Sequence, residues 1–266
     1  MEKKIRTISE FPDKVLLKIL SLLPSKDVVA TGVLSKRWRS LWKDVKTFRY
    51  EGESLSRTYW KFARFINRTS SVESLQLKIN PSATNKDIQS LVNMAVARSM
   101  RELRIEMICK NFELPKSFYM FSQLETVILD KTTYRPAVFS FIFLDHLELC
   151  LCSAEQWNLL TRILNYAPRL RVLQLKLYHK HCVKDTKNLM GNQPDLIPKS
   201  LSSHLEILEW RQYNDTAQER EAAKYILANA SGLKKATFYT ESTEKHGMLK
   251  EVRMCGQRFK NMSACV

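Results

Sequence analysis

Glycine is scarce in this chain of 266 residues, which contains only six glycines. None of them falls in a GxGxxG, GxxxxGK or GxSxG arrangement. Those arrangements let a backbone approach a phosphate or carry a serine nucleophile on a tight turn. Asp145 and His146 could contribute to a catalytic triad, but no activated serine or cysteine accompanies them, and a triad built from distant residues stays open. We predict no catalytic residues, no cofactor and no enzymatic activity.

Long apolar segments are also missing. The first ten residues, MEKKIRTISE, contain no apolar run and do not resemble a secretory signal peptide. No segment approaches the run of about 18 uncharged apolar residues that a membrane span needs. The six cysteines are spread through a chain too large to be a disulfide scaffold, which is typical of reduced thiols. We therefore expect no membrane association and a location in the cytoplasm, the nucleus or both.

Candidate metal ligands are few. His179, His181 and Cys182 lie close together in the sequence, and Cys150 and Cys152 lie on an earlier segment. Zinc prefers such side chains in tetrahedral sets. Because no second pair follows at the spacing of a zinc finger, we predict no metal site.

Acidic residues are the minority: 27 Asp and Glu stand against 43 Lys and Arg, giving a net charge of +16. Such a charge suits nucleic acid or any acidic partner. The basic residues form no run of five, so we expect a solvated basic surface and no nucleic-acid partner. The alternative is a nucleic-acid-binding protein in which basic residues contact phosphates and interleaved tryptophans stack on bases. Its candidate residues are Lys36, Arg37, Trp38, Arg39, Trp42, Lys43 and Lys46.

The segment 11–43 is rich in apolar residues and organises the N-terminal part of the chain. Its sequence, FPDKVLLKILSLLPSKDVVATGVLSKRWRSLWK, predicts three short helices. Pro12 suits the start of the first helix, Pro24 ends it, and Ser25 and Ser35 can cap the second and third. Three helices this small cannot bury so much apolar surface among themselves. The cover must come from later residues or from a partner protein, and we favour a partner.

The same segment resembles the plant F-box motif. The resemblance rests on Pro12, on Leu16-Leu17, Ile19-Leu20-Ser21 and Pro24, and on Ser35-Lys36-Arg37-Trp38-Arg39 followed by Leu41-Trp42. It implies a docking surface for the small Skp-family adaptor, which links F-box proteins to a cullin-based ubiquitin ligase. The residues that we predict to bind the adaptor are Pro12, Leu16, Leu17, Ile19, Leu20, Pro24, Val33, Ser35, Trp38, Leu41 and Trp42.

A short repeat follows, in which apolar residues occupy the first, fourth and sixth positions. The middle apolar residues are Leu75, Leu103, Val127, Leu147, Leu173, Leu208 and Ala236, separated by 28, 24, 20, 26, 35 and 28 residues. Most separations lie in the range of about 20–29 residues that is typical of leucine-rich repeats.

Each repeat predicts a short strand, and the apolar spacing at 86–100, 154–167 and 216–230 predicts helices between strands. Stacked units of this kind form an α/β solenoid, with a curved parallel sheet and helices outside. We predict an irregular leucine-rich-repeat solenoid after the three N-terminal helices. The alternative is an ordinary α/β domain whose spacing is coincidental. Residues 183–204 are polar, and we predict a long loop there.

The C-terminal part resembles the FBD region of plant F-box proteins. The resemblance rests on Pro198, Leu201, His204-Leu205-Glu206, Glu209-Trp210, the segment 219–227, Asn229-Ala230 and Leu233-Lys234. It becomes poor after Val252. We predict an F-box over 1–50, irregular repeats over 51–191 and an FBD-like region over 192–266.

Together these resemblances imply the substrate receptor of an SCF-type (Skp–cullin–F-box) ubiquitin ligase, in which the F-box binds the adaptor and the repeats recruit an unknown target protein. The repeat region is shorter than in typical relatives, and the strands predicted at 124–129 and 144–149 follow each other abruptly. A second alternative is therefore an internally deleted relative that binds the adaptor without a target.

Overall fold

The computed structural model describes residues 8–52, 64–69, 71–79, 84–107, 114–130, 141–151, 154–176, 197–239 and 250–253. The predicted three helices are present as α1 (Asp13–Leu20), α2 (Ser25–Ala30) and α3 (Lys36–Leu41). Short 3-10 turns at Ile8–Glu10, Thr31–Val33 and Trp42–Asp44 accompany them. Ser35 caps α3 as predicted. The predictions for Pro24 and Ser25 need a correction, because α1 already ends at Leu20, before Pro24, and Ser25 is the first residue of α2 and forms no capping bond there.

A proline or a serine immediately precedes each of the three N-terminal helices. Pro12 and Pro24 immediately precede α1 and α2 with φ of −58° and −56°, which directs the chain into each helix. Ser35 precedes α3, and its hydroxyl accepts a hydrogen bond from the backbone N–H of Trp38 at 3.4 Å. That bond satisfies one of the amide groups that a helix start leaves without a partner.

The rest of the described chain forms one nine-stranded sheet in which spatial order equals sequence order. Strands β1 to β8 are parallel, and β9 pairs antiparallel with β8. The strands are β1 (Thr47–Gly52), β2 (Ser74–Ile79), β3 (Glu102–Met107), β4 (Thr126–Asp130), β5 (His146–Cys150), β6 (Val172–Lys176), β7 (Ile207–Arg211), β8 (Lys235–Tyr239) and β9 (Lys250–Arg253). This confirms the predicted solenoid-like sheet and excludes a reordered α/β domain.

The predicted apolar positions form the core. All seven middle residues of the repeat, from Leu75 to Ala236, are buried, and the parallel register places them side by side across the sheet. Because side chains alternate along a strand, the residue that follows each middle residue lies on the opposite face. We call that opposite face, which points away from the helices, the open face of the sheet.

Helices connect most of the described strands. They are α4 (Asn85–Ala97), α5 (Lys116–Tyr119), α6 (Ala154–Tyr166), α7 (Lys199–Ser203) and α8 (Ala217–Asn229). Thr84 and Thr216 begin α4 and α8 with capping boxes, each pairing with an acidic residue three positions on. The three predicted helices at 86–100, 154–167 and 216–230 are thus confirmed within a few residues.

The predicted long loop at 183–204 needs a correction at its end. Residues 199–203 form α7, whose start follows Pro198. Leu201 is buried there, and the buried Ser200 hydroxyl donates a hydrogen bond of 2.6 Å to the carbonyl of Leu164. Residues 183–196 lie outside the described residues. The composition of the segment is polar, but a single apolar anchor and one buried hydroxyl are enough to fix this helical turn on α6.

Two strands of the sheet were not among the predicted units. The predicted F-box boundary after residue 50 falls inside β1, which the repeat count did not include. Yet Val45, Phe48 and Tyr50 have the same spacing as the later repeats, and all three are buried. The other strand is β9, which runs against the predicted parallel direction, so the sheet is parallel only as far as β8.

A charged ridge lies one residue before each parallel strand. Its backbone carbonyls accept two N–H groups each from the next unit; Lys46, for example, accepts from Glu73 and Ser74 at 2.8 and 3.1 Å. The side chains pair between neighbouring units as Lys46–Glu73, Arg101–Glu125, Arg171–Asp145 and Lys234–Glu206. In chain order the ridge is Lys46, Glu73, Arg101, Glu125, Asp145, Arg171, Glu206 and Lys234. The alternation of charge fails once, where Glu125 and Asp145 are neighbours at the β4–β5 junction.

Candidate functional site

The structure places the eleven predicted adaptor-binding residues in three environments. Leu16, Leu20, Trp38 and Leu41 are buried inside the protein. Leu17, Ile19, Pro24, Ser35 and Trp42 are partly buried, and Pro12 and Val33 are exposed. The four buried side chains belong to the hydrophobic core of the chain.

A different set of apolar side chains faces outwards from the same helices. Of the twelve large apolar side chains exposed in the described residues, seven lie between residues 8 and 34. Val33 is the most exposed of them, at 84%. We call this set the N-terminal apolar patch; its members are Ile8, Phe11, Val15, Leu22, Val29, Val33 and Leu34. Only Val33 belongs both to this patch and to the residues predicted to bind the adaptor, because periodicity cannot tell which face of a helix of six to eight residues is covered. The adaptor contacts predicted from the sequence stay a prediction.

Hydrogen bonds of Arg37 stabilise the helices that carry the patch. The Arg37 guanidinium on α3 donates to the Asp13 carboxylate at the start of α1, with Nε–Oδ1 at 2.8 Å. Its Nη2 also donates to the carbonyl of Phe11 at 2.8 Å. A guanidinium with fixed fork geometry suits such a double contact. Arg37 thereby ties the first and third helices together, on the side where Phe11 is exposed.

The three helices also join the sheet directly. The buried Ser25 hydroxyl accepts a hydrogen bond from the backbone N–H of Arg49 in β1, at 2.9 Å. Arg49 Nη1 donates to the carbonyl of Leu22 at 3.2 Å. Trp42 stacks on Phe65 with ring centroids 4.7 Å apart, and Phe65 meets Phe48 edge-on at 5.1 Å. The N-terminal helices therefore cover the free edge of the first strand, which would otherwise expose unpaired backbone groups.

Four of the seven residues considered for nucleic-acid binding have contacts within the described chain. Trp38 is buried and Trp42 stacks on Phe65, so neither ring is open for stacking on a base. Arg37 is bonded to Asp13, and Lys46 pairs with Glu73. Lys36, Arg39 and Lys43 are exposed, so three of the basic candidates remain on the surface without a tryptophan ring open beside them.

The open face of the sheet carries a second candidate surface. Its central row, read from β1 to β7, is Arg49, Gln76, Arg104, Ile128, Glu148, Gln174 and Glu209. The row is basic at one end, apolar in the middle and acidic at the other end. A cavity of about 290 Å³ lies over the basic end, lined by side chains of β1, β2 and β3.

The two ends of the row differ in how their charges are paired. At the acidic end, Glu148 forms a largely buried ion pair with Lys176. Glu209 accepts a hydrogen bond from Gln174 at 3.0 Å and has Arg211 at 3.8 Å. At the basic end, Arg104 forms no hydrogen bond or ion pair with any residue that the structure describes. The acidic end is thus neutralised internally, and the basic end is not.

His146 and Asp145 do not form a catalytic pair. The Asp145 carboxylate is held by Arg171, whose Nη2 donates to Oδ2 at 3.1 Å. Burial lowers the pKa of His146 below 6.5, although a hydrogen bond with Gln174 opposes that shift. In the described part of the chain, no serine or cysteine bonds the imidazole of His146, and its buried Nε2 has no hydrogen-bond partner.

The candidate metal ligands named in the sequence analysis lie mostly outside the described residues. No group of three or more potential metal-ligating side chains occurs among them. Cys150 is buried and in no disulfide bond, and Cys152, His179, His181 and Cys182 lie outside the described residues. None of the helices in the described ranges is both long enough and apolar enough to cross a membrane.

Comparison with known proteins identifies both ends of the chain. The F-box domain family model matches residues 8–50, and the FBD family model matches residues 193–238. An FBD-associated F-box protein of Arabidopsis thaliana is 68% identical, over all of this chain and 93% of the relative. An F-box/FBD/LRR-repeat protein of the same plant is 25% identical, over 97% of this chain and 89% of the relative.

The first of these alignments is much longer than the chain. It spans 362 positions, 96 more than the 266 residues of this chain. Because the alignment covers the whole chain, the unmatched positions fall between its residues. The length corresponds to several repeats of the kind described above.

Proposed function

This chain belongs to the FBD-associated F-box proteins, and we propose from this that it is the substrate receptor of an SCF-type ubiquitin ligase. F-box domains in general bind a Skp-family adaptor, and the family is of a non-catalytic adaptor type. Here the adaptor would bind the N-terminal apolar patch, and a cullin would be reached through the adaptor. The open face of the repeats would hold a target protein for ubiquitination.

The observation that carries this proposal is the exposure of the N-terminal apolar patch. Seven large apolar side chains in 27 residues are unfavourable in water, and a patch of this kind on a folded protein marks an interaction surface. The residues proposed for direct contact are the exposed members of the patch together with Pro12. The buried Leu16, Leu20, Trp38 and Leu41 would act by keeping the three helices in place.

The mechanism is one of proximity. The chain would do no chemistry itself, but it would hold a target lysine near a conjugating enzyme on the same scaffold, which raises its effective concentration. The contacts of Ser25, Arg49 and Trp42 make the patch and the first strands one packed unit. A target on the open face would therefore keep a fixed distance and orientation relative to the adaptor.

A matched pair of substitutions tests the adaptor contact. Leu22 in the patch and Met120 after α5 are exposed to the same extent, at 62% and 61%. Leu22→Asp should weaken capture of a purified Skp-family adaptor more than a hundredfold, since a loss of about 3 kcal/mol has that effect. Met120→Asp adds the same charge elsewhere and should leave capture unchanged. Equal capture by both variants and the unaltered chain would refute the proposed contact.

A second candidate function is adaptor binding without target delivery. It is supported by the 96 unmatched positions in the alignment and by the Glu125–Asp145 neighbours on the charged ridge. Loss of an odd number of repeats at the β4–β5 junction would bring two acidic ridge positions together and shorten the open face. Affinity purification from plant cells with proteasome inhibition separates the two functions. A receptor should recover the adaptor, a cullin and a protein that accumulates, whereas the second candidate should recover the first two alone.

A further inference from the structure

Three side chains from neighbouring strands meet at the basic end of the open face. The parallel register aligns Arg49 on β1 with Gln76 on β2, and Gln76 with Arg104 on β3. Adjacent strands lie about 4.8 Å apart, so the two arginine Cα atoms are roughly 10 Å apart with the glutamine between them. Two guanidinium groups at this separation can converge on one acidic group, and Gln76 can donate a further hydrogen bond.

The two arginines have unused hydrogen-bonding capacity. Arg49 is anchored through Nη1 to the carbonyl of Leu22, but its buried Nε has no acceptor among the described residues. Arg104 has no partner in the part of the chain that the structure describes. A buried N–H without an acceptor is unfavourable, and a guanidinium prefers planar two-oxygen groups. The cavity beside these atoms can admit such an acceptor.

The charges of the residues that line the cavity indicate which kind of hydrogen-bond acceptor it can bind. Its lining includes the cations Arg49, Lys78 and Arg104 and the carboxylates Glu51 and Glu106, with Glu106 already engaged in another contact. The excess of one positive charge suits a single carboxylate better than a multiply charged phosphate.

We propose that the cavity over β1–β3 is the subsite of target recognition that binds an aspartate or glutamate side chain of an acidic peptide segment. In it, Arg104 and Arg49 would donate to the carboxylate oxygens and Gln76 would fix its position. This inference rests on the proposed function, since it supplies the chemical class of the target.

The test uses the full chain and fluorescein-labelled octaglutamate, with octalysine as the opposite probe. Arg104→Gln should weaken octaglutamate binding about tenfold, the effect of losing a charge-assisted hydrogen bond. Arg162→Gln is the matched control, because it removes the same charge from an exposed position on α6. It should change the affinity less than about twofold, and Arg104→Lys should recover part of the loss, since a lysine keeps the charge.

Several results would overturn the inference. They are the absence of octaglutamate binding, equal losses in Arg104→Gln and Arg162→Gln, or equal affinity for octalysine. Displacement of octaglutamate by equimolar inorganic phosphate, dependent on Arg104, would assign the cavity to small anions instead. Adaptor capture is measured on the same samples. If adaptor capture fails, the proposed function fails; if capture succeeds without octaglutamate binding, only the peptide subsite fails.

Discussion

The hydroxyl of Ser25 in α2 accepts a hydrogen bond from the backbone N–H of Arg49 in β1, and the serine is almost fully buried. This contact joins the F-box helices to the first strand of the sheet. It also satisfies an amide on the free edge of β1, where no further strand can pair among the described residues. The F-box therefore serves as the N-terminal cap of the repeat array, a role that solenoid ends require.

The first prediction concerns this hydrogen bond. Ser25→Ala leaves the Arg49 amide buried without an acceptor and should lower the free energy of unfolding by about 1–3 kcal/mol. For a chain of this size, the melting temperature should fall by roughly 2–4 °C per kcal/mol. Ser40→Ala is the control, because that exposed hydroxyl only bonds within α3. Equal melting temperatures for Ser25→Ala and the unaltered chain would show that the contact does not stabilise the junction.

The second prediction concerns the boundary between the F-box helices and the sheet of repeats. A fragment that begins at residue 45 keeps β1 and its buried Phe48 and Tyr50, whereas one that begins at residue 53 loses the strand. Both lack α2, but only the shorter fragment also exposes the edge of β2. We expect urea midpoints to fall in the order full chain, 45–266 and 53–266. If the two fragments unfold at the same midpoint, β1 belongs to the F-box alone.

The sheet and the helices could be predicted because each repeat carries its own local signal. The Leu-x-x-Leu-x-Leu spacing fixes a strand, and Thr84 and Thr216 begin helices with capping boxes. The first strand was missed although Val45, Phe48 and Tyr50 have the repeat spacing, because they end the segment that resembles an F-box. The pairing of Arg49, Gln76 and Arg104 on one face depends on register between strands, which the sequence of one strand does not contain.

The outward face of the short N-terminal helices was not predictable for a related reason. Leu20 and Leu22 are both leucines two residues apart, yet the first is buried and the second is exposed. What decides between them is the position of α3 and β1 against α1 and α2, a tertiary arrangement. The hydrophobic pattern alone predicted three short helices in this segment but could not separate their core from their surface.

The third prediction compares the stability of variants at Leu20 and Leu22. Leu20→Asp places a carboxylate in the packed interior and should destabilise the F-box by several kcal/mol. Leu22→Asp should leave the melting temperature within about 2 °C, because an exposed position tolerates charge. Both variants should lose adaptor binding, the first through unfolding and the second through the contact itself. Normal folding of Leu20→Asp, measured by circular dichroism, would contradict the buried placement of this residue.

The fourth prediction concerns the ion pair on the open face. Lys176 and Glu148 pair with side chains only 14% and 10% exposed, so removing the lysine leaves a poorly solvated carboxylate. Lys176→Met should destabilise the chain by about 3–5 kcal/mol. The double variant Lys176→Met with Glu148→Gln should recover a large part of that loss, since no uncompensated charge remains. Equal unfolding midpoints for the single and double variants would mean that packing, and not charge, explains the effect.

The last prediction is a pH dependence that originates from His146. Burial lowers the pKa of this imidazole below 6.5 in the folded protein, so the folded state resists protonation. Above pH 6.5 the imidazole is mostly neutral in both the folded and the unfolded chain, so its burial does not reduce the free energy of unfolding through protonation. As the pH falls from about 6.5 towards the lower folded pKa, the unfolded chain takes up the proton first, and stability decreases.

The groups that face His146 determine how large the effect becomes. The side chain of Gln174 and the carboxylates of Asp145, Glu209 and Glu102 raise the pKa of the imidazole, each opposing the larger influence of burial. His146→Gln removes the titration, so the melting temperature of this variant should fall less between pH 7.5 and 5.5 than that of the unaltered chain. The exposed His204 provides the control, as His204→Gln should follow the unaltered chain. A His146→Gln variant with the same pH dependence as the unaltered chain would show that burial of this imidazole does not oppose its protonation.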